Sequence, residues 1–335
     1  MQDAEDVSRW GIVGHAHAVQ ALQRAVDSGS PSHAYLITGP HGIGKTTLAQ
    51  ALAAALLCQG APPSPCGACR ACRLVASGSH PDLHLVESER PGASLGIDLV
   101  RDLQRQLALT PLEGRWRLAV LGRFEEATTA AANALLKTLE EPPAYVVIMV
   151  LADDADRLLP TIVSRCQQVP LHPVPIDEIE RALIARWQAE PAQAALLASL
   201  SAGHVGWAVR MLTESRALGR RTQRLDELAR LLDSPLSVRF QYAESLSRDP
   251  VATQETLDLW LSWWRDVLLL ASAAGANVTN VDRGPEIQEN AAKLGVAQSA
   301  DVLKALRAAT DRIRRNANPR LTLEVLMLDL PRRAH

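Results

Sequence analysis

A glycine-rich stretch, TGPHGIGKTT at positions 38–47, has the residue types and spacing for binding phosphate. It matches the pattern G-x-x-x-x-G-K-[ST], in which glycines let the backbone wrap around phosphate groups. In such a loop the lysine reaches the β- and γ-phosphate oxygens, the following hydroxyl binds magnesium, and the helix N-terminus attracts negative charge. The pattern predicts a site for ATP or ADP with Mg²⁺, formed by Gly39, Gly42, Gly44, Lys45, Thr46 and Thr47.

Four cysteines within fifteen residues are the second group with evident chemistry: Cys58, Cys66, Cys69 and Cys72. Two successive C-x-x-C spacings and one upstream thiolate suit a tetrahedral zinc site. Disulfides are disfavoured in a reducing cytosol, and unrelated free thiols are a weak alternative because the fifth cysteine lies far along the chain. Four thiolates leave no open coordination position, so the predicted Zn²⁺ is structural.

The apolar run Leu118–Leu121 lacks the acidic residues that ATP-hydrolysing P-loop proteins place after such a strand. Gly122 and Arg123 follow it instead. Glu125 and Glu126 come later, and an extended chain would carry them about 10 Å from the strand end, out of reach of a bound metal. The sequence therefore predicts a site that binds nucleotide and has lost the residues needed to hydrolyse it.

The elements that must position these residues form an α/β domain up to about residue 172. Continuous apolar runs of strand length at 32–39, 117–122 and 144–152 are typical of a parallel sheet covered on both faces. Helical patterns at 46–57 and 128–140 lie between them. Three prolines then mark a boundary, and Asp177, with Glu180 three residues on, predicts a helix N-cap. Beyond it the patterns are helical, with a turn near 273–285.

Composition indicates a soluble chain of two or three domains: 335 residues, 47% hydrophobic, 21% charged. A net charge of −2 argues against a strongly basic protein that coats nucleic acid. No apolar run reaches the roughly 18 residues of a membrane span, and the N-terminal residues MQDAEDVSRW are acidic and polar, unlike a signal peptide. The expected location is the cytoplasm, without a membrane partner.

Several segments together resemble the AAA+ subunits of bacterial DNA polymerase III clamp loaders: HAYLITGPHGIGKTTLAQ, the four-cysteine insertion, AAANALLKTLEEPP and LLPTIVSRCQ. The C-terminal RNANPRLTLEVLMLDL is similar to the end of their collar domain, so the resemblance spans nearly the whole chain. It implies an AAA+ domain over 1–172 with a zinc module at 58–72, a helical lid over 173–216 and a helical collar over 217–335. It also implies that the four cysteines bind zinc and that Arg165 is an arginine finger acting on a neighbouring subunit's ATP site.

Three departures separate this sequence from gamma/tau, the motor subunits of that family. Where the motor subunits have Asp-Glu after the strand, this chain has Gly122-Arg123. The motor subunits have a sensor threonine or asparagine near the position of Asp153-Asp154, where a carboxylate would repel the γ-phosphate. They also have a lid arginine at the position of Gly206, for which the nearby Arg210 is a poor substitute. These departures favour the non-hydrolysing delta prime type. The resemblance then implies a mainly structural subunit in a ring with gamma/tau and delta types, which loads a sliding clamp on primed DNA.

Two other functions are consistent with parts of the pattern. An active gamma/tau-type ATPase would share the fold, and an unrelated P-loop kinase or DNA-repair ATPase with a zinc finger would share the two motifs. The kinase hypothesis requires an acceptor site, and no cluster of acid and base residues suggests one. Taken singly, Arg165 is a solvated surface residue, and Lys137 and Glu140 are ordinary charges on a helix face.

Overall fold

The computed structural model describes residues 10–62, 64–274, 278–315 and 317–332. The chain forms two units: Met1–Gln188 with Gly203–Trp207, and Ala189–Ala202 with Ala208–His335. Residues 1–9, which contributed to the prediction of no signal peptide, lie outside the described residues. Within the described residues, no helix combines the length and apolarity needed to cross a membrane. The predicted domain boundaries at 172 and 216 stay predictions.

Five parallel strands form the sheet of the first unit, in the spatial order β2-β3-β4-β1-β5. The strands are β1 (Ala34–Thr38), β2 (Leu83–Val86), β3 (Arg117–Leu121), β4 (Val146–Ala152) and β5 (Gln167–Pro170). Every residue of β3 and β4 is buried, which explains their uninterrupted apolar sequences. The predicted parallel α/β fold is confirmed.

Helices cover both faces of this sheet. The helices of the first unit are α1 (Ala16–Asp27), α2 (Lys45–Leu57), α3 (Arg70–Ala76), α4 (Ile97–Leu107), α5 (Thr129–Glu140), α6 (Pro160–Val163) and α7 (Ile176–Trp187). Leucines of α1 and α2 pack with one set of strand side chains, and leucines of α4 and α5 pack with the opposite set. The two apolar layers hold the strand ends, and therefore the loops that follow them, in fixed positions.

The second unit is helical in its described part, as predicted. Its helices are α8 (Pro191–Leu200), α9 (Val205–Thr213, which begins in the first unit), α10 (Ala217–Asp233), α11 (Leu236–Leu246), α12 (Pro250–Ala271), α13 (Gly284–Arg314, kinked at Gly295) and α14 (Pro319–Asp329). Trp260 and Trp264 of α12 are fully buried in its core. The predicted turn near 273–285 follows α12, although 275–277 lie outside the described residues.

One predicted local feature is wrong: Asp177 is not the N-cap of its helix. Helix α7 begins at Ile176 with Pro175 as the capping residue, so Asp177 lies in the first turn. Its carboxylate instead accepts a hydrogen bond from Arg181, four residues on, at 2.8 Å. The proline already fixes the backbone conformation from which the helix starts, and a side-chain cap is not required there.

Candidate functional site

The predicted phosphate loop lies between β1 and α2. Gly39, Gly42 and Gly44 have φ angles of 145°, 76° and 112°, a region that residues with a side chain rarely adopt. Gly44 caps α2, so the first backbone N–H groups of this helix face the loop. Thr46 and Thr47 lie in the first turn and are exposed. This arrangement has the form of a cradle for phosphate groups.

Lys45, the lysine of the loop, is held by oxygens of the protein itself. Its amino group donates to the carbonyl oxygens of Gly39 and Pro40 at 2.5 and 3.3 Å. It also forms an ion pair with Asp153, with 2.7 Å between Nζ and Oδ1. The sequence flagged a carboxylate at this position, and the structure shows that it binds the lysine directly.

The two residues that directly follow β3, Gly122 and Arg123, carry no carboxylate. Arg123 adopts a left-handed backbone conformation, and its guanidinium binds Glu87 at 2.8 Å and Glu126 at 3.1 Å. It also donates to the carbonyl oxygen of Ser88 at 2.7 Å. A side chain at Gly122 would place its Cβ 2.8 Å from a carboxylate oxygen of Glu87. The residues after β3 therefore form an ion-pair network around Arg123.

The two glutamates after β3 differ in their environment. Glu126 accepts hydrogen bonds from Ser88, from the backbone N–H of Gly92 and from Arg123. Among the described residues, Oε2 of Glu125 is buried and lacks a hydrogen-bond partner. Burial, and then the charge of Asp153, raise the pKa of Glu125, while Lys45 opposes the shift. The extended-chain estimate thus misses the turn at Arg123, which brings Glu125 into electrostatic contact with the loop.

Residues 203–207 of the first unit pack on the phosphate loop. The N–H of Gly206 donates to the carbonyl oxygen of Gly42 at 2.7 Å. A Cβ at Gly206 would lie only 2.9 Å from that oxygen, so the arginine that the resemblance places here has no room. Arg210 is no substitute, because it forms an ion pair with Glu255 at 2.9 Å within the second unit.

Arg165 follows the short helix α6 and is about one-third exposed. Its guanidinium binds Glu140 at the end of α5, with 2.7 Å between Nη2 and Oε1. It also donates to the carbonyl oxygen of Thr161 at 2.9 Å. Glu140 therefore pairs with Arg165 at the protein surface.

The four cysteines converge on one point. Their sulfur atoms all lie within 4.8 Å of one another: Cys58, Cys66, Cys69 and Cys72. A tetrahedral zinc–thiolate site, with bonds of about 2.3 Å, requires sulfur separations of about 3.8 Å, so a small contraction would complete it. Backbone N–H groups of Cys66, Cys69 and Cys72 donate to neighbouring sulfurs at 3.4 Å. The residues present therefore fit a metal ion bound by four cysteines.

Hydrogen bonding and burial divide the thiols of this cluster. The backbone N–H of Cys72 stabilises the thiolate of Cys69 and lowers its pKa to about 6. Burial raises the pKa of Cys72 to about 12. A divalent cation would reverse the second effect, since a coordinated thiol is deprotonated outright.

The parallel sheet, the phosphate loop and the helical remainder define an AAA+ P-loop protein. The chain is 30% identical over 321 residues to DNA polymerase III subunit delta' of Bacillus subtilis, covering 93% of this chain and 94% of that one. It belongs to the family of DNA polymerase III delta' subunits. The resemblance identified in the sequence is confirmed.

A family model and two further relatives also match this chain, and one solved structure aligns with it. A family model described as DNA polymerase III, delta subunit, matches residues 14–175. DNA polymerase III subunit delta' of Pseudomonas aeruginosa is 46% identical over 138 residues, 41% of this chain and 42% of that one. Subunit gamma/tau of Mycobacterium tuberculosis is 30% identical over 94% of this chain, which spans 59% of that protein. A gamma subunit-related structure from Thermotoga maritima aligns with a TM-score of 0.45 at 20% identity, covering 92% of this chain and 97% of that one.

The structure thus forms three separate groups from the predicted residues: the loop with Lys45, the four cysteines, and Arg165 with Glu140. Sequence reasoning missed the roles of Glu87 and Glu125. Glu87 directly follows β2, a strand of four residues that is too short to be recognised. Glu125 is placed by the left-handed turn at Arg123, which the sequence does not signal because the residue is not a glycine.

Proposed function

We propose that this chain is the delta'-type subunit of a bacterial DNA polymerase III clamp loader. In this role it closes a ring with gamma/tau- and delta-type subunits, in the cytoplasm, and the assembly opens a sliding clamp and places it on primed DNA. The chain acts mainly as a structural subunit, with an AAA+ domain over 1–172, a lid over 173–216 and a collar over 217–335. Zn²⁺ bound by the four cysteines stabilises the insertion at 58–72.

The observation that carries this proposal is the end of β3. A subunit that hydrolyses ATP needs a carboxylate there to hold magnesium. Here Arg123 brings a cation, and the space beside Gly122 is taken by Glu87. We infer that the loop retains nucleotide binding through its amides, Lys45 and Thr46, and that the chain alone does not hydrolyse ATP.

Arg165 is the residue by which this subunit would act on a neighbour. Its guanidinium is held at the surface by Glu140, which binds Nη2, and by the carbonyl oxygen of Thr161, which binds Nη1. These two contacts leave other N–H donors of the guanidinium available for a phosphate. A planar guanidinium binds phosphate oxygens at two positions, which an ammonium group does not. An arginine supplied in trans stabilises charge on the transferring phosphoryl group and accelerates such reactions by about 10³–10⁵.

The test compares clamp loaders reconstituted with the wild-type, Arg165→Ala or Arg165→Lys chain at equal assembly. Both variants should lower ATP hydrolysis stimulated by clamp and DNA, although the hydrolysing sites belong to other subunits. Arg181→Ala is the matched control, since Arg181 is an exposed arginine of α7 paired with Asp177. Equal rates for all four complexes would show that Arg165 is an ordinary surface residue.

A second measurement tests the structural role. The isolated chain is expected to bind nucleotide without turnover, and Lys45→Ala should weaken the binding. If the isolated chain hydrolyses ATP at a rate that Lys45→Ala abolishes, it is a gamma-type ATPase and the proposal is wrong.

A further inference from the structure

The phosphate loop contains a competitor for its own lysine. An ammonium group has three N–H donors, and three oxygens of the chain lie around Nζ of Lys45: two loop carbonyls and Asp153. A phosphate oxygen can therefore bind Lys45 only by displacing one of them. Of the three, only the carboxylate of Asp153 carries a negative charge, so it is the strongest competitor.

Asp153 is held in this position by the sheet. Strand β4 lies beside β1, with Ala152 paired to Thr38. The pairing continues past the strand end, because the N–H of Gly39 donates to the carbonyl oxygen of Ala152 at 3.3 Å. Asp153 is the next residue, and its short side chain reaches Lys45 directly. The carboxylate is thus fixed beside the loop by backbone hydrogen bonds.

The phosphate that would meet this carboxylate is the terminal one. Loop amides cradle the α- and β-phosphates, whereas the lysine extends to the β- and γ-phosphates. The γ-phosphate is consequently the group that lies beyond the amides and depends most on Lys45. Glu125 adds to the effect, because its buried Oε2 has no hydrogen-bond partner among the described residues and its charge interacts with both Asp153 and Lys45.

We propose that Asp153 makes the phosphate loop select a nucleoside diphosphate over a triphosphate, by holding Lys45 where the terminal phosphate would bind. This inference rests on the proposed nucleotide binding, but not on ring assembly or on Arg165. A like charge a few ångströms from the γ-phosphate, in a half-buried site, weakens its binding on the order of tenfold to a hundredfold. Bound ADP has no γ-phosphate beside Asp153, so it avoids this repulsion.

The experiment is a calorimetric titration of the full-length, zinc-loaded chain with ADP and with a non-hydrolysable ATP analogue, each with Mg²⁺. The wild-type chain should bind ADP more tightly by about tenfold or more. Asp153→Asn keeps the shape of the side chain and removes its charge. It should therefore strengthen binding of the ATP analogue and reduce the ratio of the affinity for ADP to the affinity for the analogue. Glu125→Gln should reduce this affinity ratio by a smaller factor. Asp154→Asn is the matched control, because this exposed carboxylate caps the N–H of Asp156 and does not contact Lys45.

Three outcomes would overturn the inference. One is equal affinity of the wild-type chain for both nucleotides. Another is a loss of both affinities in folded Asp153→Asn, which would identify Asp153 as a ligand of the metal. The third is failure of both nucleotides to bind the wild-type chain. None of these outcomes bears on Arg165. In a separate assay, turnover of ATP by the same purified chain would contradict the proposed function, but the comparison of the two nucleotide affinities would remain valid.

Discussion

Arg239 of α11 offers the sharpest test of how the second unit is held together. Its side chain is fully buried, and all five of its N–H groups donate to backbone carbonyl oxygens at 2.8–3.1 Å. The acceptors are Leu231 and Leu232 at the end of α10, Met327 near the end of α14, and Leu330 and Pro331 just beyond it. One cation therefore neutralises the negative ends of two helices.

We expect Arg239→Met to lower the free energy of unfolding of the second unit by about 3–5 kcal/mol. A buried carbonyl that loses its partner costs about 1–3 kcal/mol, but the five losses do not add, because water can reach the outermost acceptors. Removing one partner of a buried charged network costs about 3–5 kcal/mol. Lysine offers three donors in place of five, so Arg239→Lys should cost about half as much.

The assay is hydrogen exchange of the full-length, zinc-loaded chain, followed by mass spectrometry of peptides from α10 to α14. A local probe is needed because a chain of two units need not unfold in one step. Arg248→Met is the control: this residue is 75% exposed and pairs with Glu244 at the surface, so we expect a change within about 0.5 kcal/mol. An Arg239→Met chain whose exchange protection lies within about 1 kcal/mol of wild type would refute the reasoning.

Four further predictions follow from the site. Purified protein should contain one zinc, and a chelator should expose the four cysteines to thiol reagents and destabilise the insertion while nucleotide binding persists, as measured by metal analysis and thiol titration. Burial and the charge of Asp153 raise the pKa of Glu125. Ionised Glu125 therefore lowers the free energy of unfolding at pH values above the raised pKa, and this penalty is absent below the usual carboxyl pKa, where the group is protonated in both states. Glu125→Gln should raise the melting temperature at alkaline pH, and the gain should vanish on acidification. Gly206→Ala should destabilise the first unit by about 1–3 kcal/mol in thermal unfolding, since its Cβ would press on a backbone oxygen, whereas Gly219→Ala, in open space within α10, should not. Glu140→Gln should reduce stimulated hydrolysis by the assembled complex less than Arg165→Ala does, with unchanged nucleotide binding by the isolated chain; equal rates for Glu140→Gln and wild type would show that Glu140 does not position the arginine.

The sequence predicts the elements whose signals are local. Strands β1, β3 and β4 are buried on both faces, so their apolar runs are continuous and easily recognised. Strands β2 and β5 lie at the two edges of the sheet, where one side needs no burial. Their sequences are only four residues long and contain histidine or glutamine, so they do not form the continuous apolar runs from which strands are predicted. What escapes prediction is therefore the edges of the sheet.

Contacts between residues far apart in sequence are harder to predict than motifs. The P-loop pattern fixes the position of Lys45, and the C-x-x-C spacings bring four sulfurs together, because both arise within a short stretch of chain. The pairing of Arg165 with Glu140 joins two segments whose approach depends on how α5 and α6 pack. Arg239 is similar: nothing in its local sequence distinguishes it from an exposed arginine of a helix.

The topology of the sheet explains why the changes at this site are connected. In a parallel sheet the carboxyl ends of all strands meet at one edge, so the residues after β1, β2, β3 and β4 become neighbours. Glu87, which follows β2, lies directly beside Gly122. Arg123 then pairs with that glutamate, and Asp153, which follows β4, takes the lysine. The site therefore contains two ion-pair groups, Arg123 with Glu87 and Glu126, and Lys45 with Asp153, and each joins residues that follow adjacent strands. A carboxylate restored at position 122 would meet Glu87, and one restored at position 123 would remove the arginine that pairs with that glutamate.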